Sequence, residues 1–241
     1  MSVLLMTVWL TGCVQEELGS TPSPAGNGIR FTLTVPDVNL PSVSSRTMTG
    51  AGTAKKEDEI KTVDILVFDM SKTPAVYLEC VSATGVTQDL ADNSTVSFSA
   101  VLSPTTASTC IVVVANKELD NIVSGFMKGT TTKVEAMEKM LHAQTGKWLA
   151  DGSTTDGYTR IPMYGEKVIS KITPSMDPIT GINMKRMLAR IDIRNNSATS
   201  NFTVEEVYLA NYNTTGYIAP AWNTNGQVTD PAPDTPVLPV N

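Results

Sequence analysis

An alternation of apolar and polar residues with a period of two constrains the fold of this 241-residue chain most strongly. Every second residue is apolar in residues 29–35, and the same pattern returns in residues 94–102. Successive side chains of a β-strand point to opposite faces of a sheet, so both segments are predicted to be half-buried strands. Their apolar faces consist of Ile29, Phe31, Leu33 and Val35, and of Val96, Phe98, Ala100 and Leu102.

Two other segments contain uninterrupted apolar runs and are predicted to be buried strands. Residues 60–69 become continuously apolar toward their end, and residues 111–115 are apolar throughout, which is typical of strands covered on both faces. Only 17% of the residues are charged, and Thr, Ser, Asn and Val are abundant, as in secreted β-rich proteins. Further strands are predicted at residues 75–81, 163–173, 181–194 and 202–211.

The apolar spacing changes to that of a helix between residues 117 and 144. Thr132 and Glu135 have the spacing of a capping box, which begins a helix. The apolar residues that follow recur at helical spacing: Val134, Met137, Met140 and Leu141. Such a stripe could line a groove for a partner, but a helix packed on the sheet and ending at His142 is the favoured interpretation. A weaker helix is predicted over residues 119–127.

Charge and residue types argue against several classes of function. The net charge of −6 argues against nucleic acid, which requires a basic patch. The chain has one histidine and no cluster with metal-ligand spacing, so we expect no metal and no cofactor. It has no nucleophile with a base and an orienting group, no G-x-S-x-G motif and no phosphate loop, so no enzymatic activity is expected.

Cys80 and Cys110 both lie in apolar, strand-like runs. They could be buried free thiols, or they could form a disulfide in an oxidising compartment. Free cysteines in the core are the favoured interpretation, because an unpaired cysteine behaves as a small apolar residue.

The N-terminus carries the sequence Leu10-Thr11-Gly12-Cys13 after a short apolar run. This sequence resembles a bacterial lipobox, which implies that residues 1–12 are removed as a signal peptide and that Cys13 is lipidated. The apolar run is too short to cross a bilayer, which takes about 20 residues. The resemblance therefore implies attachment to a membrane through a lipid anchor.

The remaining segments outside the predicted strands and helices are expected to be flexible or exposed. Residues 13–27 are rich in Gly, Ser, Thr and Pro and form a tether, whose acidic Glu16 and Glu17 resemble the surface-export signal of Bacteroidetes lipoproteins. Residues 37–59 form a long exposed loop. The folded domain is expected to span residues 28–220, and the Pro-rich residues 221–241 form a linker or a truncated end.

Four sequence blocks follow one another along the chain: EIKTVDILVFD at residues 59–69, TCIVVVAN at 109–116, IPMYGE at 161–166 and KRMLARIDI at 185–193. Together with the lipobox, they resemble the Bacteroidales fimbrillin family of major and minor fimbrial subunits. The resemblance covers residues 28–220.

This resemblance implies a transthyretin-like antiparallel β-sandwich of about seven strands, with one or two short helices packed on it. It implies a structural subunit or accessory component of a surface fimbria that joins other fimbrial subunits. It also implies a location on the cell outer membrane and adhesion to host or bacterial surface ligands. Fimbrillins usually carry a second sandwich domain, so this chain is expected to be truncated or to represent an N-terminal domain alone.

Fimbrillins are processed by a trypsin-like protease that cleaves after an arginine near the end of the first strand. A strand from another subunit then fills the groove that the released strand leaves. By resemblance, Arg46 is the expected processing site, and it lies among small residues where a protease can extend the chain. The strand released would be residues 29–35, with its apolar residues Ile29, Phe31, Leu33 and Val35.

A surface lipoprotein that binds glycans is the alternative function. Such a protein needs three aromatic rings coplanar on one exposed face, where sugars stack. The candidates are Trp148, Tyr158, Tyr212, Tyr217 and Trp222. The favoured interpretation of these residues is that they are ordinary core and loop aromatics.

Overall fold

The computed structural model of the chain describes residues 28–35, 58–88, 95–143, 160–188, 205–208 and 215–219. The strands in these ranges are β1 (Ile29–Thr34), β2 (Val63–Asp69), β3 (Val76–Ser82), β4 (Thr84–Gln88), β5 (Thr95–Ala100), β6 (Thr109–Ala115), β7 (Leu141–Ala143), β8 (Met163–Ile169), β9 (Ile179–Asn183), β10 (Lys185–Arg186) and β11 (Thr215–Tyr217). The helices are α1 (Asp120–Val123) and α2 (Lys133–Glu138).

The strands form two main sheets. The first sheet has the order β4-β5-β1-β9, the second sheet has the order β10-β8-β6-β2-β3, and β7 pairs with β11 in a separate ribbon. Among the described strands, every pair is antiparallel except β1 with β9, which run parallel. The apolar faces of the two sheets pack on each other, so the predicted mainly β sandwich with short helices is confirmed.

The core between the sheets is built from the predicted alternating residues. All four apolar side chains of residues 29–35 are buried, as are all four of residues 94–102. The second sheet meets them with Val63, Ile65, Val67, Ile111, Val113 and Ala115. Period-two alternation therefore identified one face of the core correctly.

The opposite face of the second sheet is also covered. Its residues Leu66, Phe68, Cys110, Val112 and Val114 are each fully buried. They lie beneath a layer that contains Leu119, Ala136, Met137, Met140 and Ile218. Because β2 and β6 are covered on both faces, their apolar runs are continuous, as the sequence predicted.

Helix α2 begins where predicted but ends early. The Thr132 hydroxyl accepts a hydrogen bond from the Glu135 amide at 3.2 Å, and the Glu135 carboxylate accepts one from the Thr132 amide at 2.8 Å, which completes the capping box. The helix ends at Glu138, so the prediction that it reaches His142 is wrong. Leu141 and His142 lie instead in β7 and pair with Tyr217 and Gly216 of β11.

Several other boundaries differ from the prediction. Helix α1 is four residues long, within the nine predicted at 119–127. In its described part, up to residue 188, the strand predicted at 181–194 is divided into β9 and β10, which belong to different sheets, and residues 189–194 lie outside the described ranges. Strands β4, β7 and β11 were not predicted, and residues 205–208 carry no strand.

Gly165 allows β9 of the first sheet to pass close to β8 of the second. A Cβ at this position would lie 2.8 Å from the carbonyl oxygen of Asn183 and 2.9 Å from Cγ2 of Ile182. Real Cβ atoms do not approach backbone this closely, so the crossing requires glycine at residue 165.

Cys80 and Cys110 are both free, the first partly buried and the second fully buried. Burial raises the pKa of both thiols, that of Cys80 to about 12. Both cysteines are therefore held as neutral thiols in the protein interior, as favoured from the sequence.

Candidate functional site

Strand β1 lies inside the first sheet, between β5 and β9. It pairs with β5 over its whole length, from Ile29 opposite Ala100 to Thr34 opposite Thr95. On its other edge it runs parallel to β9, and the Met184 amide donates to the Thr34 carbonyl at 2.8 Å. Strand β1 therefore bridges two strands of the first sheet.

We call the space that β1 occupies the β1 slot. Its walls are the edges of β5 and β9, and its floor is the inner face of the second sheet. Without β1, both walls would present unpaired backbone donors and acceptors, and the floor would be exposed apolar surface.

The four apolar side chains of residues 29–35 fill the β1 slot and are almost completely buried. The exposed fraction is 3% for Ile29, 1% for Phe31, 0% for Leu33 and 1% for Val35. The Phe31 ring stacks on the Phe98 ring with centroids 5.0 Å apart and planes 7° apart. Complete burial of these side chains stabilises the chain by roughly 1.5–3 kcal/mol each. The strand is therefore held mainly by apolar contact, in addition to its backbone pairing.

The outward face of β1 is polar. Arg30, Thr32 and Thr34 lie on this face, opposite Ser99, Ser97 and Thr95 of β5. Arg30 and Thr34 are exposed and Thr32 is half-buried, so these side chains contribute no core contact.

The chain that enters β2 is held independently of β1 by contacts that we call the β2 clamp. The Gln88 side chain donates to the Asp58 carbonyl at 2.8 Å and accepts from the Ile60 amide at 3.0 Å. The guanidinium of Arg186 forms an ion pair with the carboxylate of Asp58, and both side chains are largely buried. Arg160 and Lys61 pair with Glu59 at 3.1 and 3.3 Å.

Asn116 completes the β2 clamp. Its side-chain amide donates to the carbonyls of Glu59 and Ile161 at 2.8 and 2.9 Å, and its side-chain oxygen accepts from the Lys61 amide at 3.0 Å. Its φ of 59° is in the left-handed region, which asparagine tolerates better than most residues. Sequence reasoning missed this clamp, although Asn116 ends the block TCIVVVAN.

Other polar groups lie away from the β1 slot. Burial alone would lower the pKa of the Lys133 ammonium, but the Glu166 carboxylate 2.7 Å away raises it. This pair lines a cavity of about 470 Å³ between α2 and β8, together with Tyr164 and Lys185. Within the described part of the chain, no group of His, Cys, Asp and Glu has the arrangement of a metal site. The helices there are too short and too polar to span a membrane.

Several sequence-predicted residues lie outside the described ranges, namely Cys13, Arg46, Trp148, Tyr158, Tyr212 and Trp222. Of the proposed aromatic platform, Tyr217 is described, and it is half-buried in β11. His142 lies in β7, where it does not cap a helix. The structure thus brings together the apolar side chains of residues 29–35, and the sites at Cys13 and Arg46 remain predictions.

Comparison with known proteins identifies a family and two solved structures. The family of the major fimbrial subunit protein (FimA) matches residues 29–180, which begin with the first residue of β1. A fimbrial assembly protein from Parabacteroides distasonis has 14% identity and a TM-score of 0.45, with 85% of this chain and 72% of that one covered.

The second structure is a candidate cell adhesion protein from Parabacteroides distasonis. It has 16% identity and a TM-score of 0.50, with 88% of this chain covered. This likeness shows a shared fold. The chain spans 63% of the length of that protein. No curated protein sequence matches the chain.

Proposed function

The chain belongs to the family of the major fimbrial subunit protein (FimA), and we propose that it is a structural subunit or accessory component of a bacterial surface fimbria. The family predicted from the four sequence blocks is thereby confirmed. Membership of a family of structural subunits supports a role without catalysis. A surface fibre of this kind would attach the cell to host or bacterial surface ligands.

The observation that carries the assembly mechanism is the position of β1. It is the first strand of the family match, it lies between two other strands, and its apolar side chains are buried. We propose that a trypsin-like protease cleaves after Arg46 and that β1 then leaves the slot. A strand from another subunit takes its place, with backbone hydrogen bonds supplying strength and alternate side chains filling the pockets.

Covalent attachment keeps the uncut precursor from polymerising. While β1 remains joined to β2, its return to the slot is intramolecular, at an effective concentration on the order of millimolar. A strand from another subunit competes poorly against that concentration. Cleavage removes the tether to β1, whereas the β2 clamp keeps the chain downstream of residue 58 in place.

The N-terminal segment supplies export and anchoring in this proposal. Residues 1–12 are removed, Cys13 receives the lipid, and residues 13–27 link the lipid to a domain spanning residues 28–220. This places the precursor on the surface of the cell outer membrane, with residues 221–241 as a linker. A palmitate analogue should label the wild type and leave Cys13→Ala unlabelled, and equal labelling would exclude the lipid anchor.

Substitution of the processing arginine tests the assembly mechanism. Arg46→Ala should abolish incorporation into fibres without lowering the free energy of unfolding, because the proposed protease cleaves after arginine and this substitution removes its site. The measurement is the fraction of subunit found in sheared fibres, compared with the matched control Lys55→Ala in the same interval between β1 and β2. If Arg46→Ala enters fibres as well as the control does, release of β1 by cleavage at Arg46 is wrong.

A further inference from the structure

We propose that the β1 slot selects its incoming strand by an aromatic side chain at the position of Phe31. This inference rests on the proposed strand exchange and adds to it the kind of strand that the slot accepts. The expected partner is an extended segment with the pattern aliphatic-x-aromatic-x-aliphatic-x-aliphatic.

The pocket around Phe31 is shaped for a flat ring. Phe98 lies directly opposite in the register of β5, and the two rings are stacked 5.0 Å apart at an angle of 7°. Ile179 of β9 lies opposite on the other side. A leucine in this pocket would bury similar apolar area but would lose the ring-on-ring contact, which contributes beyond area alone.

The neighbouring pockets favour aliphatic side chains. Ile29 lies opposite Ala100, a small residue that leaves room for a branched chain. Leu33 lies between Val96 of β5 and Ile182 of β9, both fully buried. The outward-facing Thr32 and Thr34 lie opposite Ser97 and Thr95 and do not enter the core between the sheets.

The aromatic position also fixes the register of the incoming strand. A shift by two residues keeps the apolar face inward but moves the aromatic ring opposite Val96 or Ala100. The ring would then meet a pocket sized for an aliphatic chain, and Phe98 would lose its stacking partner. Among the shifts that keep apolar side chains buried, the native register alone stacks the two rings.

Both walls of the Phe31 pocket are attached to the second sheet without help from β1. On the β5 side, the amide and hydroxyl of Ser103 donate to the Glu79 carboxylate at 2.7 and 2.6 Å. On the β9 side, the Lys167 ammonium donates to the Thr180 carbonyl, and β9 packs against Gly165. The pocket is therefore expected to keep its shape when β1 leaves.

The test measures replacement of β1 by synthetic peptides. The folded full chain is nicked with trypsin between β1 and β2, where Arg46, Lys55 and Lys56 offer sites, and the protease is then inhibited. A fluorescent peptide of residues 28–36 is added in excess, and its incorporation and Kd are measured by anisotropy. We expect the Phe31→Leu peptide to bind about tenfold more weakly and the Phe31→Ala peptide at least about a hundredfold more weakly.

Two controls separate selection from general loss of binding. A Thr32→Ala peptide, altered at an outward-facing position opposite Ser97, should bind like the wild type. In a Phe98→Leu chain, the wild-type and Phe31→Leu peptides should differ by less than threefold, because the stacking partner is gone. Since the main comparison uses altered peptides, it does not depend on the folding of a variant protein.

Each outcome decides a different statement. Equal binding of the wild-type and Phe31→Leu peptides would overturn selection by the aromatic position and leave strand exchange standing. Failure of every peptide, including the wild type, to replace β1 would overturn the proposed strand exchange itself. A tenfold preference for the wild-type peptide over the Phe31→Leu peptide that persists in the Phe98→Leu chain would also overturn the inference. The preference would then not depend on stacking against Phe98.

Discussion

The two sheets of the sandwich differ in how their inner strands are held. In the second sheet, β2 and β6 are adjacent, antiparallel and buried on both faces. In the first sheet, β1 is buried on one face only and exposes polar side chains on the other. The second sheet is thus built around strands that cannot leave without destroying two layers, whereas the first contains a strand whose loss opens a single slot.

Residues that are equally buried in this protein therefore differ in how their strands are attached to the rest of the chain. Phe31 and Phe68 are almost equally buried, with 1% and 0% exposure. Phe31 lies on β1, which is separated from β2 by a long stretch of sequence. Phe68 lies on β2, which is held by the β2 clamp and pairs with both β3 and β6. What distinguishes them is which contacts survive when the chain is cut between β1 and β2.

The largest expected effects on stability come from the buried rings of Phe31 and Phe68. Phe31→Ala and Phe68→Ala should each lower the free energy of unfolding of the uncut chain by about 3–5 kcal/mol. In chain that has been nicked and then loaded with wild-type β1 peptide, the loss from Phe31→Ala should vanish, whereas that from Phe68→Ala should remain. Denaturant unfolding of both forms measures this. A Phe31→Ala loss that survives peptide loading would show that β1 was never exchanged.

A smaller effect concerns the join between the sheets. Gln88 of β4 belongs to the first sheet, yet its side chain makes two hydrogen bonds to the segment that leads into β2. Gln88→Ala should cost about 1–3 kcal/mol, because it leaves a partly buried carbonyl and amide without these partners. The adjacent, exposed Thr87→Ala is the matched control and should change stability by about 0.5 kcal/mol or less. Equal losses in denaturant unfolding would mean that the β2 clamp does not join the sheets.

The smallest effect lies in the outer layer of the second sheet, far from the β1 slot. Thr132→Ala removes the cap of α2 and should cost about 1 kcal/mol near neutral pH. Hydrogen bonds from the Thr132 amide and hydroxyl lower the pKa of Glu135. A carboxyl group whose pKa is lowered by folding stabilises the folded state at pH values above its ordinary pKa. This stabilisation is lost as the pH falls through the folded-state pKa.

The difference between wild type and Thr132→Ala should therefore shrink on acidification. Unfolding curves at neutral and acidic pH measure it, with Thr130→Ala at a nearby exposed position as the control. A difference that is constant with pH would contradict the role of the Glu135 carboxylate in the cap.

Local sequence patterns predicted much of this fold. The rest depends on backbone pairing between segments that are far apart in the sequence. The strands β1, β2, β5 and β6 and the start of α2 follow from periodicity and capping, which act within a few residues. Leu141 continued the helical spacing, but its backbone pairs with Tyr217, and no local signal announces that partner. Strand β4, with the sequence TGVTQ, has too little apolar alternation to be recognised.

The same distinction applies to the candidate site. The inward residues of β1 could be predicted because they alternate along one segment. The placement of β1 between β5 and β9 could not, since β9 lies far along the chain and pairs in parallel. The β2 clamp was equally hidden, because Arg186 and Asp58 are separated by 128 residues.

The double-edged pairing of β1 has a mechanical consequence for the proposed fibre. A strand in the β1 slot is hydrogen-bonded along both edges. A force along its axis therefore acts on all of these hydrogen bonds at the same time, in shear. If the force instead acted at one end of a strand and perpendicular to it, the hydrogen bonds would break one after another. The stacked Phe31 ring adds a bulky stop, because sliding the strand would drag the ring past Val96 or Ala100. A joint of this design resists tension between subunits far better than its individual hydrogen bonds suggest.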